Sequence, residues 1–90
     1  MHGVHQLLFY DYVENIVERR APHREAHLAY GSAWKEDGRL VAGGAIGDPP
    51  TGAILVFSAE ADVEAFAAED PYVQAGLVSA HRVEPWNVVL

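Results

Sequence analysis

The sequence contains no cysteine, which excludes disulfide bonds and zinc sites built on thiolates. It has six basic residues against thirteen acidic ones, so its net charge is −7 and it lacks the basic surface of nucleic-acid-binding proteins. An acidic chain is also repelled by anionic membranes. No apolar run reaches the roughly 18–20 residues of a transmembrane helix, and no signal peptide is visible. We expect a cytoplasmic protein that binds neither nucleic acid nor membrane.

The chain is short, with 90 residues, so we expect one domain spanning residues 1–90. Half of the residues are hydrophobic. A domain of this size buries only about 60–65% of the surface that its unfolded chain exposes, which leaves a thin core. Small domains without disulfides are often stabilised by a partner subunit, and this predicts an oligomer.

Hydrophobic periodicity and turn residues divide the chain into alternating strands and helices. The strands are predicted over 4–12, 39–46, 53–58 and 79–89, the last with a bend at Pro85. The helical segments are a short turn over 13–20, a main helix over 22–37, a helix over 59–69 and a turn over 70–76. This β-α-β-β-α-β order predicts an α+β, ferredoxin-like fold: a four-stranded antiparallel sheet with the helices on one face.

The predicted strands are apolar on both faces. Strand 53–58 is apolar from 53 to 57, and strand 4–12 places Leu7 and Phe9 on one face and Leu8 and Tyr10 on the other. Because two helices cover only one face, the other would remain an exposed apolar patch, which marks an interface. We expect a homodimer joined through the open sheet face; the alternative is a monomer with an unusually apolar surface.

His27 is the candidate general base. It lies about one turn into the predicted main helix, on the stripe that faces the core. A histidine can take a proton from a substrate when a carboxylate orients its ring. The alternative is a core histidine that only satisfies a hydrogen bond.

Asp70 is the candidate carboxylate partner of His27. It directly precedes Pro71, and aspartate before proline is also a good helix cap, so capping is the alternative role. One carboxylate can perform both roles.

Three further residues are candidates for substrate binding. Arg24 lies three residues before His27, so both can face the same side, where the guanidinium would bind an anionic group; a surface ion pair is the alternative. Tyr72 and Trp86 are candidates for the wall of a pocket, with an ordinary place in the core as the alternative.

A metal site is not expected. His23 and His27 are four residues apart, but the glutamate between them is one place away from its position in the H-E-x-x-H pattern. No third ligand follows.

Five segments in order resemble the YciI-like (YCII-related) family: 24–30 (REAHLAY), 37–44 (DGRLVAGG), 52–56 (GAILV), 70–77 (DPYVQAGL) and 83–86 (VEPW). The resemblance implies a ferredoxin-like fold within a dimeric α/β barrel. It also implies a His–Asp pair that falls on His27 and Asp70, and the family's arginine falls on Arg24. The chain departs from the family at Gly43-Gly44-Ala45, where Ala-Gly-Pro is more usual.

The resemblance further implies a cofactor-independent small-molecule enzyme of the lyase or isomerase type, similar to a dehydrochlorinase branch of the family. In this reading His27 abstracts a proton at a pocket between helix and sheet, and Asp70 orients it. Arg24, Tyr72 and Trp86 contact a small organic, anionic substrate, with no cofactor and no metal. The alternatives are a non-catalytic module that binds a small ligand and a structural dimerisation module.

Overall fold

Four antiparallel strands form a single sheet in the computed structural model, which describes residues 1–90. Their order across the sheet is β2-β3-β1-β4. The strands are β1 (Gly3–Tyr12), β2 (Leu40–Ile46), β3 (Gly52–Ser58) and β4 (Val78–Val88). The helices are α1 (Ile16–Arg20), α2 (Arg24–Glu36), α3 (Val63–Glu69) and the single turn α4 (Pro71–Gln74). The predicted α+β, ferredoxin-like fold is confirmed. None of the helices combines the length and the apolar character that a bilayer span requires.

Two helices begin later than the sequence predicts. A 3₁₀ turn over Ala21–His23 holds the proline of this segment at its start, so α2 begins at Arg24 and not at 22. The next helix begins at Val63 and not at 59, because the carboxylate of Asp62 accepts a hydrogen bond from Ala65 N at 3.0 Å and caps the helix there.

The register shifts of the sheet lie away from Pro85 and from Gly43 and Gly44. Pairing of β4 with β1 continues through Pro85, which is tolerated because β4 is an edge strand. The register of that pair shifts instead between Asp11 and Tyr12. On β2 the shift lies between Leu40 and Ala42, before the glycine pair.

The core lies between the helices and one face of the sheet. Leu8, Leu55 and Phe57 project from the strands and are buried. Trp34 and Phe66 meet them from α2 and α3, with the two rings edge-on at a centroid distance of 5.1 Å. Phe57 packs against Phe66 at 4.9 Å. Each such side chain contributes about 1.5–3 kcal/mol on burial, so this cluster supplies much of the stability of a small domain.

The other face of the sheet carries no helix and is apolar along β1 and β3, with Arg82 and Glu84 of the edge strand β4 beside Phe9 and Leu7. Leu7 pairs directly with Val56, and Phe9 with Ile54, so these four side chains project to the same side. All four are half-buried by their neighbours alone. The observed register therefore places apolar side chains of β1 and β3 on both faces of the sheet, as the sequence predicts.

Gly52 is required by close packing between β3 and β1. A Cβ atom at this buried position would overlap the carbonyl oxygen of Tyr10. We expect Gly52→Ala to lower the free energy of unfolding by about 1–3 kcal/mol, because a backbone atom cannot move aside cheaply. Thermal denaturation followed by circular dichroism measures this as a fall in Tm.

Gly31→Ala is the matched control. There the added methyl group meets only Leu40 Cδ2, at an ordinary 3.8 Å, and the position is helical. Since alanine is favoured over glycine within helices, Tm should be unchanged or higher. Equal losses of Tm in both variants would contradict the assignment of strain to Gly52.

Candidate active site

Asp70 is the only buried charged residue of the molecule, with no exposed surface. It lies between α3 and α4 with extended backbone geometry. Its Oδ1 accepts a 3.0 Å hydrogen bond from Tyr72 N and therefore caps α4. The same oxygen is 2.8 Å from His27 Nδ1, and Oδ2 accepts a 2.8 Å hydrogen bond from the Tyr10 hydroxyl. The carboxylate thus serves as helix cap and as histidine partner at once.

His27 is held in one orientation by two contacts. Its Nδ1 is bonded to Asp70, and its ring is stacked on Tyr72 with a centroid distance of 3.7 Å and an interplanar angle of 4°. Because an ionised carboxylate only accepts hydrogen bonds, Nδ1 carries the hydrogen, and in the neutral ring Nε2 then keeps a lone pair. Nε2 has no hydrogen-bond partner within the protein, which is the arrangement of a general base.

Tyr10 completes the environment of the Asp70 carboxylate. Burial, reinforced by the charge of Asp70 and the hydrogen bond to it, raises the pKa of Tyr10 far above its usual value of 10. The hydroxyl therefore remains a donor at any physiological pH. Sequence alone did not identify this residue; the available signal was that a tyrosine on the core face of a strand needs a partner for its hydroxyl.

A cavity of about 390 Å³ opens beside His27, between α2 and the sheet. Leu28 and Gly31 of α2 form one wall, and Gly43 and Leu55 belong to the strands opposite. A Cβ atom at Gly43 would lie 3.3 Å from Leu55 Cγ, which is tighter than an ordinary contact. Glycine at position 43 therefore lets β2 approach the Leu55 side chain of β3 at this wall of the cavity. Apolar groups line much of the remaining surface, which suits the body of a small organic molecule.

The charge of the cavity is opposite to the charge of the protein. Arg20, Arg24 and Lys35 line it, and no acidic residue does. Half of the six basic residues of this chain of net charge −7 are therefore gathered at one cavity. Such a concentration of cations favours an anionic ligand.

The structure brings together most, but not all, of the residues expected from sequence. His27 and Asp70, 43 positions apart, are in contact, and Arg24 and Tyr72 line the cavity. Trp86 does not line it. It pairs with His5 and so projects from the open face of the sheet, where 39% of it is exposed.

Sequence alone also missed Arg20, Lys35 and Tyr12 as cavity residues. Positions 20, 24, 28, 31 and 35 follow one helical stripe. Pro22 obscures this stripe because a proline predicts a helix boundary, whereas the chain continues through a 3₁₀ turn on the same side.

Two other tyrosines near the cavity also remain protonated at neutral pH. Burial, followed by the charges of Tyr72 and Asp70, raises the pKa of Tyr12 to about 12, although Arg20 and Arg24 act in the opposite direction. Burial and the charge of Asp70 raise the pKa of Tyr30 to about 12. The Tyr30 hydroxyl donates a 2.8 Å hydrogen bond to a backbone carbonyl.

No group of three or more histidine, cysteine, aspartate or glutamate side chains is arranged to hold a metal ion. His23 does not line the cavity. It lies directly before α2 and makes no hydrogen bond with Asp70.

Comparison with known proteins identifies relatives over nearly the whole chain. Residues 5–87 match the YCII-related domain. A solved structure of 5-chloro-2-hydroxyhydroquinone dehydrochlorinase from Burkholderia phenoliruptrix AC1100, in complex with 2,5-dihydroxybenzoquinone, is similar with 29% sequence identity and a TM-score of 0.77. The match covers 92% of this chain and 93% of that one.

A second solved structure, of a protein of unknown function from Nitrosomonas europaea, is 19% identical with a TM-score of 0.59. It covers 100% of this chain and 92% of that one, and at this identity it supports the fold alone. No curated protein matches the chain.

The raised pKa of Tyr10 predicts a loss of stability in alkaline solution. Above pH 10 an unfolded chain releases the Tyr10 proton while the folded chain retains it, so the unfolded state binds fewer protons and stability falls as pH rises. For this tyrosine the expected slope increases from about 0.7 kcal/mol per pH unit at pH 10 towards a limit of about 1.4 at higher pH. Urea unfolding at several pH values between 10 and 11 measures it.

Tyr10→Phe should show a shallower slope, because the variant has no proton to release at this position. It should also be less stable at neutral pH by about 1.5–3 kcal/mol, since a hydrogen bond to a buried carboxylate is lost. An unchanged slope in Tyr10→Phe would show that Tyr10 is not the group responsible.

Proposed function

The chain belongs to the YCII-related domain family, and on that premise we propose that it is an enzyme that removes a proton from a small organic acid. The reaction is an elimination or an isomerisation. The observation that carries this proposal is the 2.8 Å contact between His27 Nδ1 and Asp70 Oδ1 beside an open cavity. The likeness to a dehydrochlorinase supports it.

In the proposed step His27 Nε2 accepts a proton from a carbon or oxygen atom of the substrate. In an elimination the electron pair left behind expels a leaving group as an anion, and the proton on His27 then passes to solvent. In an isomerisation the electron pair shifts a double bond, and the proton returns at another atom. Asp70 stabilises the imidazolium through the Nδ1–H hydrogen bond, and Tyr10 and Tyr72 N hold the carboxylate in place. The step uses no cofactor, and a positioned base of this kind accelerates a reaction by about 10²–10⁴-fold.

The proposed substrate is a small planar molecule with an acidic oxygen. The related dehydrochlorinase is named for a chlorinated hydroxyhydroquinone and was solved with 2,5-dihydroxybenzoquinone. The cavity volume of about 390 Å³ falls within the roughly 300–1,000 Å³ of small-molecule sites. Arg24 would bind the anionic group, and the Tyr72 ring would form part of the wall. Trp86, which projects from the opposite face, takes no part in this cavity.

We also propose that the protein acts as a homodimer joined through the open sheet face. Ile46 and Trp86 lie on the same face as the four half-buried apolar side chains of β1 and β3, and they are 43% and 39% exposed. Exposed apolar side chains gathered on one face are typical of an interface, and a chain of 90 residues has little core of its own. A cytoplasmic location stays a prediction.

Replacement of His27 tests the catalytic proposal. We expect wild-type protein to release chloride from 5-chloro-2-hydroxyhydroquinone, or to exchange substrate C–H hydrogens for deuterium across a panel of hydroxyquinones and unsaturated acids. His27→Gln should lower that rate about 10²–10⁴-fold, because glutamine cannot take up a proton. Chloride release and proton NMR in deuterium oxide provide the measurements.

His23→Gln is the matched control, because His23 lies one helical turn away and does not line the cavity. Its rate should equal that of the wild type. If wild-type protein binds 2,5-dihydroxybenzoquinone tightly but turns over nothing in the panel, the non-catalytic binding module is favoured. A loss of many degrees in Tm for His27→Gln would instead favour a structural histidine.

The oligomeric state tests the second proposal. Light scattering after size-exclusion chromatography should give twice the chain mass of 9.8 kDa. Val56→Glu should shift the protein to the monomer, because it would bury a charge in the proposed interface. Ala26→Glu, on the exposed side of α2, is the control and should remain dimeric. A wild-type mass of a single chain would refute the dimer.

A further inference from the structure

Two tyrosine hydroxyls near the cavity have no hydrogen-bond partner in the protein. Tyr72 is only 1% exposed, and its hydroxyl is the one buried side-chain polar atom left unsatisfied. Tyr12 is half-buried and lines the cavity, and its hydroxyl likewise makes no hydrogen bond. The hydroxyls of Tyr10 and Tyr30, by contrast, each donate a 2.8 Å hydrogen bond.

The two tyrosines that carry these hydroxyls are neighbours. The rings of Tyr12 and Tyr72 meet edge-on at a centroid distance of 6.2 Å. Burial and then Tyr72 raise the pKa of Tyr12, and Arg20 and Arg24 lower it, so these three residues all lie close enough to act on Tyr12. Tyr12, Tyr72 and both arginines also line the cavity.

A buried hydroxyl without a partner, as in Tyr72, lowers the stability of the free protein, and proteins rarely contain one without a reason. Here two hydroxyls without protein partners lie near two guanidinium groups. The guanidinium groups only donate hydrogen bonds, and a tyrosine hydroxyl can donate one as well. A single kind of ligand atom satisfies such a set: a negatively charged oxygen. The register shift between β1 and β4 falls at Tyr12, as is common where a strand directs a side chain into a site.

We propose that the hydroxyls of Tyr12 and Tyr72, together with Arg20 and Arg24, bind the oxygen of the substrate on which negative charge resides once His27 has taken the proton. This inference rests on the proposed function and specifies its substrate class: enols, phenols and hydroxyquinones, in which the removed proton leaves an electron pair delocalised onto oxygen. The proton goes to His27 Nε2, the electron pair goes to the substrate oxygen, and both tyrosines keep their protons and only donate hydrogen bonds.

Three tyrosine-to-phenylalanine variants test this assignment, with 2,5-dihydroxybenzoquinone as the probe. Isothermal titration calorimetry should show that Tyr12→Phe and Tyr72→Phe each raise Kd about 10-fold or more, which is the effect of losing a hydrogen bond to a charged group. Tyr72→Phe should keep or raise Tm in the absence of the probe, because the hydroxyl it removes is unsatisfied. Arg20→Gln should weaken binding and reduce its dependence on salt.

Tyr30→Phe is the matched control, because it removes a hydroxyl that is bonded to the protein and does not line the cavity. Its Kd should lie within twofold of the wild type, while its Tm falls. A probe affinity in Tyr12→Phe and Tyr72→Phe equal to that of the wild type would overturn the inference. Wild-type protein that binds no probe at millimolar concentration would also overturn it.

These outcomes are separate from those of the proposed function. Proton removal is measured by the rates of His27→Gln and His23→Gln, in which both tyrosines are intact. An anion site that is lost in Tyr12→Phe and Tyr72→Phe, combined with full activity in His27→Gln, would support the site and refute the base. Unchanged probe affinity in Tyr12→Phe and Tyr72→Phe, combined with a loss of activity in His27→Gln, would support the base and refute the site.

Discussion

A buried carboxylate with three donors is the interaction on which the arrangement of this molecule depends. Asp70 has no exposed surface, and an isolated carboxylate in that environment would be strongly unfavourable. Its donors come from three elements: the Tyr10 hydroxyl from β1, His27 Nδ1 from α2, and Tyr72 N from α4. The hydrogen bonds that make the burial tolerable therefore also join the sheet to the helices and fix the orientation of His27.

The charge distribution separates the surface of the protein from its cavity. The chain as a whole is acidic, with a net charge of −7, whereas the cavity is lined by Arg20, Arg24 and Lys35 and by no acidic residue. Asp70 is paired behind His27 and Tyr72, and is not among the lining residues. A small anion that enters is therefore surrounded by cations, even though the average field of the protein is negative.

Sequence patterns predicted the fold well and the site in part. Alternation along β1 and β3 identified two apolar faces, and the structure shows Leu8 in the core and Leu7 on the open face. The same strict alternation explains Trp86: its pairing with His5 places it on the open face and away from the cavity. Arg20 was missed because a proline two residues later was interpreted as a helix boundary.

The sequence by itself determined the order of the elements, the apolar faces of the sheet, the absence of thiol chemistry and the acidic character, because each depends on composition or on neighbours within a few residues. Only the tertiary structure decided that Asp70 both caps α4 and meets His27, 43 positions away, and that Tyr10 reaches the same carboxylate from 60 positions away. Contacts between such distant residues depend on strand register and helix packing, which no local pattern in the chain encodes.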